Sequence, residues 1–371
     1  MRARDKEWLS RSYASGDTFA DTVDVRLPAL IRLSNEVGLD LDAVAHGVRW
    51  WSDHLDGTAV TLISDHLVEC SASVATNLVE ARLHLLELQD FSEQEQAFVA
   101  QPLTYGRDGR PNIPLHPPRR RPMDDLPSTM TDLHITGFFR AVTSAFDCLG
   151  AVIVGVTGLA CPILTASLKD VRNRLSTIRP ADDGTRFLTE FGTVLERLVT
   201  KAGPTDWLPW VDQMRNMLVH RGRRFHVSSW EPRGAYSDLV GPDGLRVRMA
   251  WPVRHLPREP AVSDAMAMAS GFEIPVLGED MNKTVKGVMG SALALCDSVA
   301  HELVRAWRQR RERPGLVKQP PTQWPALKPT ARSAFTGYDV NTEPFRPDVI
   351  VTSPEIVKRL VVTGNGTPSR S

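Results

Sequence analysis

Apolar positions recur at helical spacing over several long stretches of the chain. From Thr58 to Gln89, Val60, Leu62, Ile63, Leu67, Val74, Leu78, Leu85 and Leu86 fall near one face, with no Pro or Gly between them. That pattern predicts one long amphipathic helix. Asp132 to Leu159 repeats it through Phe138, Phe139, Val142, Phe146, Leu149 and Val152, and Met281 to Arg311 does so through Val285, Val288, Leu293, Leu295, Val299, Leu303 and Trp307. Shorter helices are expected at 166–178 and at 184–201, the second read from Phe187, Phe191, Val194, Leu195 and Leu198. Another opens at Pro204-Thr205-Asp206, with Thr205 as its N-cap, and runs through Trp207 to about Arg221, where Gly222 stops it.

Between these stretches the pattern breaks in two ways. Residues 102–127 hold seven prolines and the run Arg119-Arg120-Arg121, which reads as an extended, solvated linker. Arg223 to Trp230 and Leu245 to Val253 alternate in polarity around Gly241-Pro242-Asp243-Gly244, which predicts a small β-hairpin. Residues 1–57 read as short helices, one of them at Asp42–Trp51. Nine of the 27 prolines fall after Arg313, so that tail is expected to be largely irregular, with a short packed element at 348–362.

The expected fold is therefore mainly α, a helical bundle that buries these stripes against one another. Its parts are a helical N-terminal region (1–101), a Pro/Arg-rich linker (102–128), a bundle (129–312) with a hairpin near 223–253, and a Pro-rich tail (313–371).

Composition narrows the class. The 371 residues are 42% hydrophobic and 24% charged, as in ordinary soluble proteins, and 44 basic residues balance 44 acidic ones. With no net field, affinity for a polyanion has to come from a local cluster. Cys148 to Leu164 is apolar apart from Thr157, at the short limit for a membrane span, and reads better as a central bundle helix. No secretory signal follows the charged start. The four cysteines (Cys70, Cys148, Cys161, Cys296) lack Cys-x-x-Cys spacing and read as buried free thiols in a reducing cytoplasm.

The common catalytic signatures are missing: no phosphate loop, no dinucleotide fingerprint, no Gly-x-Ser-x-Gly. His301-Glu302 begins like a zinc helix, but Arg305 stands where the second histidine belongs. No metal or cofactor is implied. What remains is the stretch Trp207 to Arg224. On a helical wheel Trp207, Trp210, Val211, Met214 and Leu218 form its core stripe. Asn216 and His220 face away from that stripe, and Arg215 sits on its flank. Arg221, Arg223, Arg224 and His226 add positive charge suited to an RNA backbone. Arginine binds phosphate oxygens with a two-pronged grip and stabilises added charge in a transition state. Histidine exchanges protons near neutrality. The basic run from Arg305 to Arg313, with Arg308, Arg310 and Arg311, reads as a solvated helix end, with RNA guidance as its second reading.

Arg215-Asn216-Met217-Leu218-Val219-His220 resembles the Arg-polar-x3-His motif of the HEPN family, late in a helical bundle. Arg-x4-His spacing occurs again at Arg49–His54 and Arg221–His226, but without the polar second residue. The resemblance implies a metal-independent endoribonuclease, as in toxin–antitoxin, stress-response or phage-defence systems. It implies Arg215 and His220 as catalytic with Asn216 in support, RNA as the partner, and a homodimer bringing two copies of the motif together. An antitoxin or inhibitor is a further possible partner, and the motif names none. The hairpin, the first hundred residues and the tail have no counterpart in the family. The competing reading is a non-catalytic helical scaffold that uses the same helix as an oligomer interface, with His220 serving only the helix end.

Overall fold

Seven helices account for most of the described residues. The computed structural model describes residues 25, 27–39, 57–99, 101–105, 111–112, 126–220, 227–232, 237–240, 246–260 and 276–317. The helices are α1 (Pro28–Leu39), α2 (Gly57–Val99), α3 (Leu126–Thr157), α4 (Leu168–Thr177), α5 (Asp183–Ala202), α6 (Trp207–Arg215) and α7 (Met281–Glu312). The protein is mainly helical, a helical bundle, as the apolar spacing predicts. The elements expected at Asp42–Trp51 and 348–362 lie outside the described residues.

The chain packs as two compact units, and α2, α3, α5 and α7 contribute residues to both. Unit 1 comprises Asn77–Ser144 and Val199–Ala294 beyond its N-terminal segment. Its core draws Leu78, Leu85 and Leu88 from α2, Phe138, Phe139 and Val142 from α3, and Val285 and Met289 from α7. Beside that core, His84 and His134 meet with their Nδ1 atoms 3.1 Å apart, one ring's N–H donating to the other's lone pair. Phe91 stacks on His134, and Glu80 lies beside His84 while also pairing with Arg140. Burial holds both imidazoles below their ordinary value of 6.5.

A small antiparallel sheet completes unit 1. Its strands are β1 (Gln101–Tyr105), β2 (Pro111–Asn112), β3 (Val227–Pro232), β4 (Ser237–Val240) and β5 (Arg246–His255). The path is β2-β1-β5-β3, and β4 also pairs with β5. The β3/β5 pairing, Val227 opposite His255 and Pro232 opposite Ala250, is the hairpin the alternation predicts. The start of the proline-rich stretch differs from the expected linker, because Gln101–Thr104 pairs with Val247–Ala250. Pro102 is tolerated there because β2 reaches only Thr104 and Tyr105, so among the described residues the proline has a ladder partner on one side only.

Unit 2 comprises Arg26–Thr76, Ala145–Leu198 and Leu295–Ser371. Leu30, Leu67, Val74, Leu149, Val152, Val171, Leu195, Leu303 and Trp307 form its core. Helix α3 is the one helix among the described residues long and apolar enough to cross a membrane, yet 78% of its apolar window is buried in the protein. It ends at Gly158, whose φ of 67° is the left-handed stop that glycine adopts without strain. Gly150 lets the start of α4 approach, since a Cβ there would lie 2.7 Å from the Ser167 and Leu168 backbone. Helix α4 opens with a capping box: Ser167 Oγ accepts from the Asp170 amide and Asp170 Oδ2 from the Ser167 amide.

Candidate functional site

Helix α6 carries the Arg-polar-x3-His motif at its C-terminal end, held in unit 1 by two tryptophans. Trp207 is buried and donates its Nε1–H to the Val199 carbonyl at 3.0 Å. Trp210 is half-buried, packs edge-on against Phe139 and donates to the Pro257 carbonyl at 3.0 Å. Both act as packing anchors. The helix start differs from the expected Thr205 cap: Asp206 occupies the cap position in a left-handed conformation (φ 59°, ψ 12°), with no side-chain cap bond.

The motif is not continuous α-helix. Regular α geometry stops at Arg215, and Asn216–His220 forms a single π turn. In an α-helix, positions five apart lie ~140° from each other around the axis. A π turn bonds residue i to i+5 and stacks those positions one turn apart. The backbone at 215 and at 220 is thereby brought to the same side of the helix.

On that side Arg215 Nη1 donates to Asn216 Oδ1 at 3.3 Å. Arg215 is half-buried and Asn216 exposed. The Nε of Arg215 is buried with no hydrogen-bond partner among the described residues. Val219 projects outward, 37% exposed. Of the residues read as a site, Arg215 and Asn216 are therefore in contact. The backbone of His220 belongs to the π turn, but its side chain lies outside the described residues, as do Arg221, Arg223 and Arg224 entirely.

Beneath the π turn the packing departs from the simple wheel. Met217 is buried along with Met214, while Leu218 is only half-buried. All three line a small void of about 20 Å³ with Arg254, His255 and Leu256, so the end of β5 covers a face the wheel leaves open. Arg254 fixes that strand end. Its Nη2 donates to Glu95 Oε1 (2.7 Å) and Ser128 Oγ (2.6 Å), and its Nη1 to Asp132 Oδ1 (3.0 Å). His255 Nδ1 lies 3.2 and 3.1 Å from the Leu277 and Glu279 carbonyls. Sequence reasoning misses Arg254, because nothing along the chain links a strand arginine to carboxylates on two distant helices.

The arginine run at the end of α7 divides. Arg305 and Arg308 line an open groove of about 540 Å³ with Arg32, His301 and Arg313, although Arg308 is paired to Glu36 and Arg305 to Glu302. Arg310 departs from the expected solvated end: it is 1% exposed and donates from Nη1 to the carbonyls of Gly155 (3.0 Å) and Val156 (2.9 Å). It satisfies the last turn of α3, whose carbonyls have no partner within their own helix.

Among the described residues no group of three or more His, Cys, Asp or Glu side chains is gathered as a metal-ligand set. Comparison with protein-family models, curated proteins and solved structures finds no match to this chain.

Proposed function

We propose that the chain is a metal-independent endoribonuclease of HEPN type, with its centre at the π turn after α6. The observation that carries this reading is the turn itself, which stacks position 215 over position 220 and sets the Arg215 guanidinium against Asn216 at the surface. In this scheme Arg215 clamps the scissile phosphate and stabilises its added negative charge. His220 takes the proton from the ribose 2′-hydroxyl or delivers one to the departing 5′-oxygen. The 2′-oxygen bonds to phosphorus as the P–O5′ bond breaks, giving a 2′,3′-cyclic phosphate and a 5′-hydroxyl. Asn216 orients the guanidinium. Arg221, Arg223 and Arg224 supply backbone contacts to the RNA.

Asn216 and Val219 are exposed at the π turn of a single protomer. A homodimer that pairs two such surfaces closes the cleft and shelters the phosphate. Its setting is a cytoplasmic stress-response or phage-defence role.

The test is incubation of full-length protein with mixed RNA in EDTA, with product ends identified. Cleavage to cyclic phosphate ends, lost in both Arg215→Ala and His220→Ala while folding and dimerisation persist, supports the reading. The exposed Val219 also favours a second reading, in which the same helix end is a non-catalytic oligomer interface. RNA left intact by a well-folded dimer selects it.

A further inference from the structure

Helix α1 and the end of α7 enclose the open groove of about 540 Å³, which lies wholly within unit 2. Its floor is apolar, formed by Ala29 and Val304, which are 1% and 7% exposed. Its walls are cationic: Arg32 stands on α1, His301, Arg305 and Arg308 stand at successive turns of α7, and Arg313 follows the helix end. Glu312 is the one carboxylate among the described lining residues. The Arg308 Nε donates to both carboxylate oxygens of Glu36, at 3.0 and 3.2 Å, which ties α7 to α1 across the groove. Arg305 pairs with Glu302 on its own helix at 3.4 Å, an exposed contact that holds little energy. The side chains of Arg32 and Arg313 have neither a hydrogen bond nor an ion pair among the described residues.

We propose that this groove binds the sugar-phosphate backbone of a single-stranded nucleic acid, without regard to base sequence. From His301 to Glu312 the row runs about 16 Å along the helix axis, with one lining residue for each turn of about 5.4 Å. A linear array of cations suits a chain of phosphates better than one compact anion, which needs donors converging on a point. No aromatic ring lines the groove, so no base is stacked and the contacts fall to the backbone. A lipid surface fits less well, because the apolar residues lie on the floor beneath the arginines instead of projecting outward.

The arginines divide the work. Arg308 stays on Glu36 and forms the wall, and Arg310 is committed to the α3 carbonyls. The cations that meet phosphate are Arg32, Arg313 and Arg305, the last by exchanging Glu302 for the ligand. Because the whole chain has 44 basic and 44 acidic residues, the attraction belongs to this face and not to a general field. Binding here is separate from cleavage at the π turn and does not depend on it.

Full-length protein is titrated with a fluorescent oligothymidylate of about 20 nucleotides, longer than the ~4–16 that one common single-strand groove covers. The probe has no 2′-hydroxyl, so binding is read whether or not the chain cleaves RNA. The logarithm of the association constant is expected to fall linearly with that of the salt concentration, with a slope of about −2 or steeper for three or more phosphate contacts. Arg32→Gln combined with Arg305→Gln is expected to weaken binding roughly tenfold at low salt and to flatten the slope by about 1.4. Removing two exposed charges from α5 of the same unit, Arg186→Gln with Arg197→Gln, is expected to change affinity by less than about twofold. Equal losses in the two double variants, or an unchanged slope in the groove variant, overturn the proposal. Tripolyphosphate bound as tightly as the oligonucleotide does so too, since it marks a compact anion site. Phosphatidylserine vesicles held through Arg32 and Arg305, with no oligonucleotide bound, assign the groove to lipid and overturn it as well. On the wild-type chain, phenylglyoxal modification mapped by peptide mass spectrometry should show Arg32, Arg305 and Arg313 protected by the oligonucleotide and Arg186 and Arg197 not. Groove arginines left unprotected there overturn the proposal however the variants fold.

Discussion

The guanidinium of Arg310 lies 4.2 Å above the ring of Trp307, three residues earlier on α7, while its Nη1 reaches across to the end of α3. An arginine at a charged helix terminus is thus part of the core of unit 2. Stacking and the carbonyl bonds together offset the desolvation of the charge.

Arg310→Met is therefore expected to destabilise the protein by about 2–4 kcal/mol, from lost charged hydrogen bonds and orphaned carbonyls. Arg310→Lys recovers only part, because an ammonium lacks the planar fork and stacks poorly. Urea unfolding of both variants checks the order. Arg311→Ala, at the neighbouring position on the same helix end, serves as the control, and a loss as large as that of Arg310→Met would contradict the assignment.

Arg254 makes the second prediction. Its side chain is 13% exposed, and Glu95 and Asp132 are 16% and 14% exposed, so removing it leaves two carboxylates under cover without their cation. Arg254→Ala is expected to cost about 3–5 kcal/mol, as for other enclosed ion pairs broken on one side. The same change should loosen the floor of the π turn. Hydrogen exchange at residues 214–218 is the local readout.

The His84–His134 contact predicts a pH dependence. Both rings are held below 6.5 in the folded chain, chiefly by burial, and for His84 also by the neighbouring ring and Arg140; Glu80 and Glu87 oppose the shift. An unfolded chain then binds protons more readily than the folded one in the window that opens at 6.5 and runs downward. Stability is fully present above 6.5 and falls as the pH drops through that window. Replacing both histidines with glutamine should flatten the slope of Tm against pH there. An unchanged slope would show that the pair is not its source.

Arg215→Lys separates charge from geometry at the proposed cleavage centre. It keeps the cation but loses the two-pronged grip on phosphate, and RNA cleavage in EDTA is expected to fall by roughly 10²-fold. The far-ultraviolet circular dichroism should not change.

Much of this architecture is legible in the chain. Helices α2, α3, α5 and α7 follow from apolar spacing, because long amphipathic stripes have one efficient way to be buried. The β3/β5 pairing follows from the alternation on either side of the Gly-Pro-Asp-Gly turn signal in the sequence, whereas β4, which lies between them and also pairs with β5, does not. The rest depends on contacts that periodicity does not encode. Pro102 argues against a strand until β5 is seen pairing with it on one side. Arg310 looks like its solvated neighbours because burial of a charge depends on which carbonyls it meets. At the candidate site, Arg215 and Asn216 are legible as a pair, whereas the π turn is not, since side-chain spacing carries no mark of a widened backbone loop.

The segment from Asn216 to His220 holds one residue more than an ordinary coil of helix would need. Deleting Met217 or Val219 would let the helix close in regular fashion, with Arg215 and His220 then four positions apart and still on one face. The wider turn thus gives a five-residue spacing the alignment that four residues have in an unbroken helix.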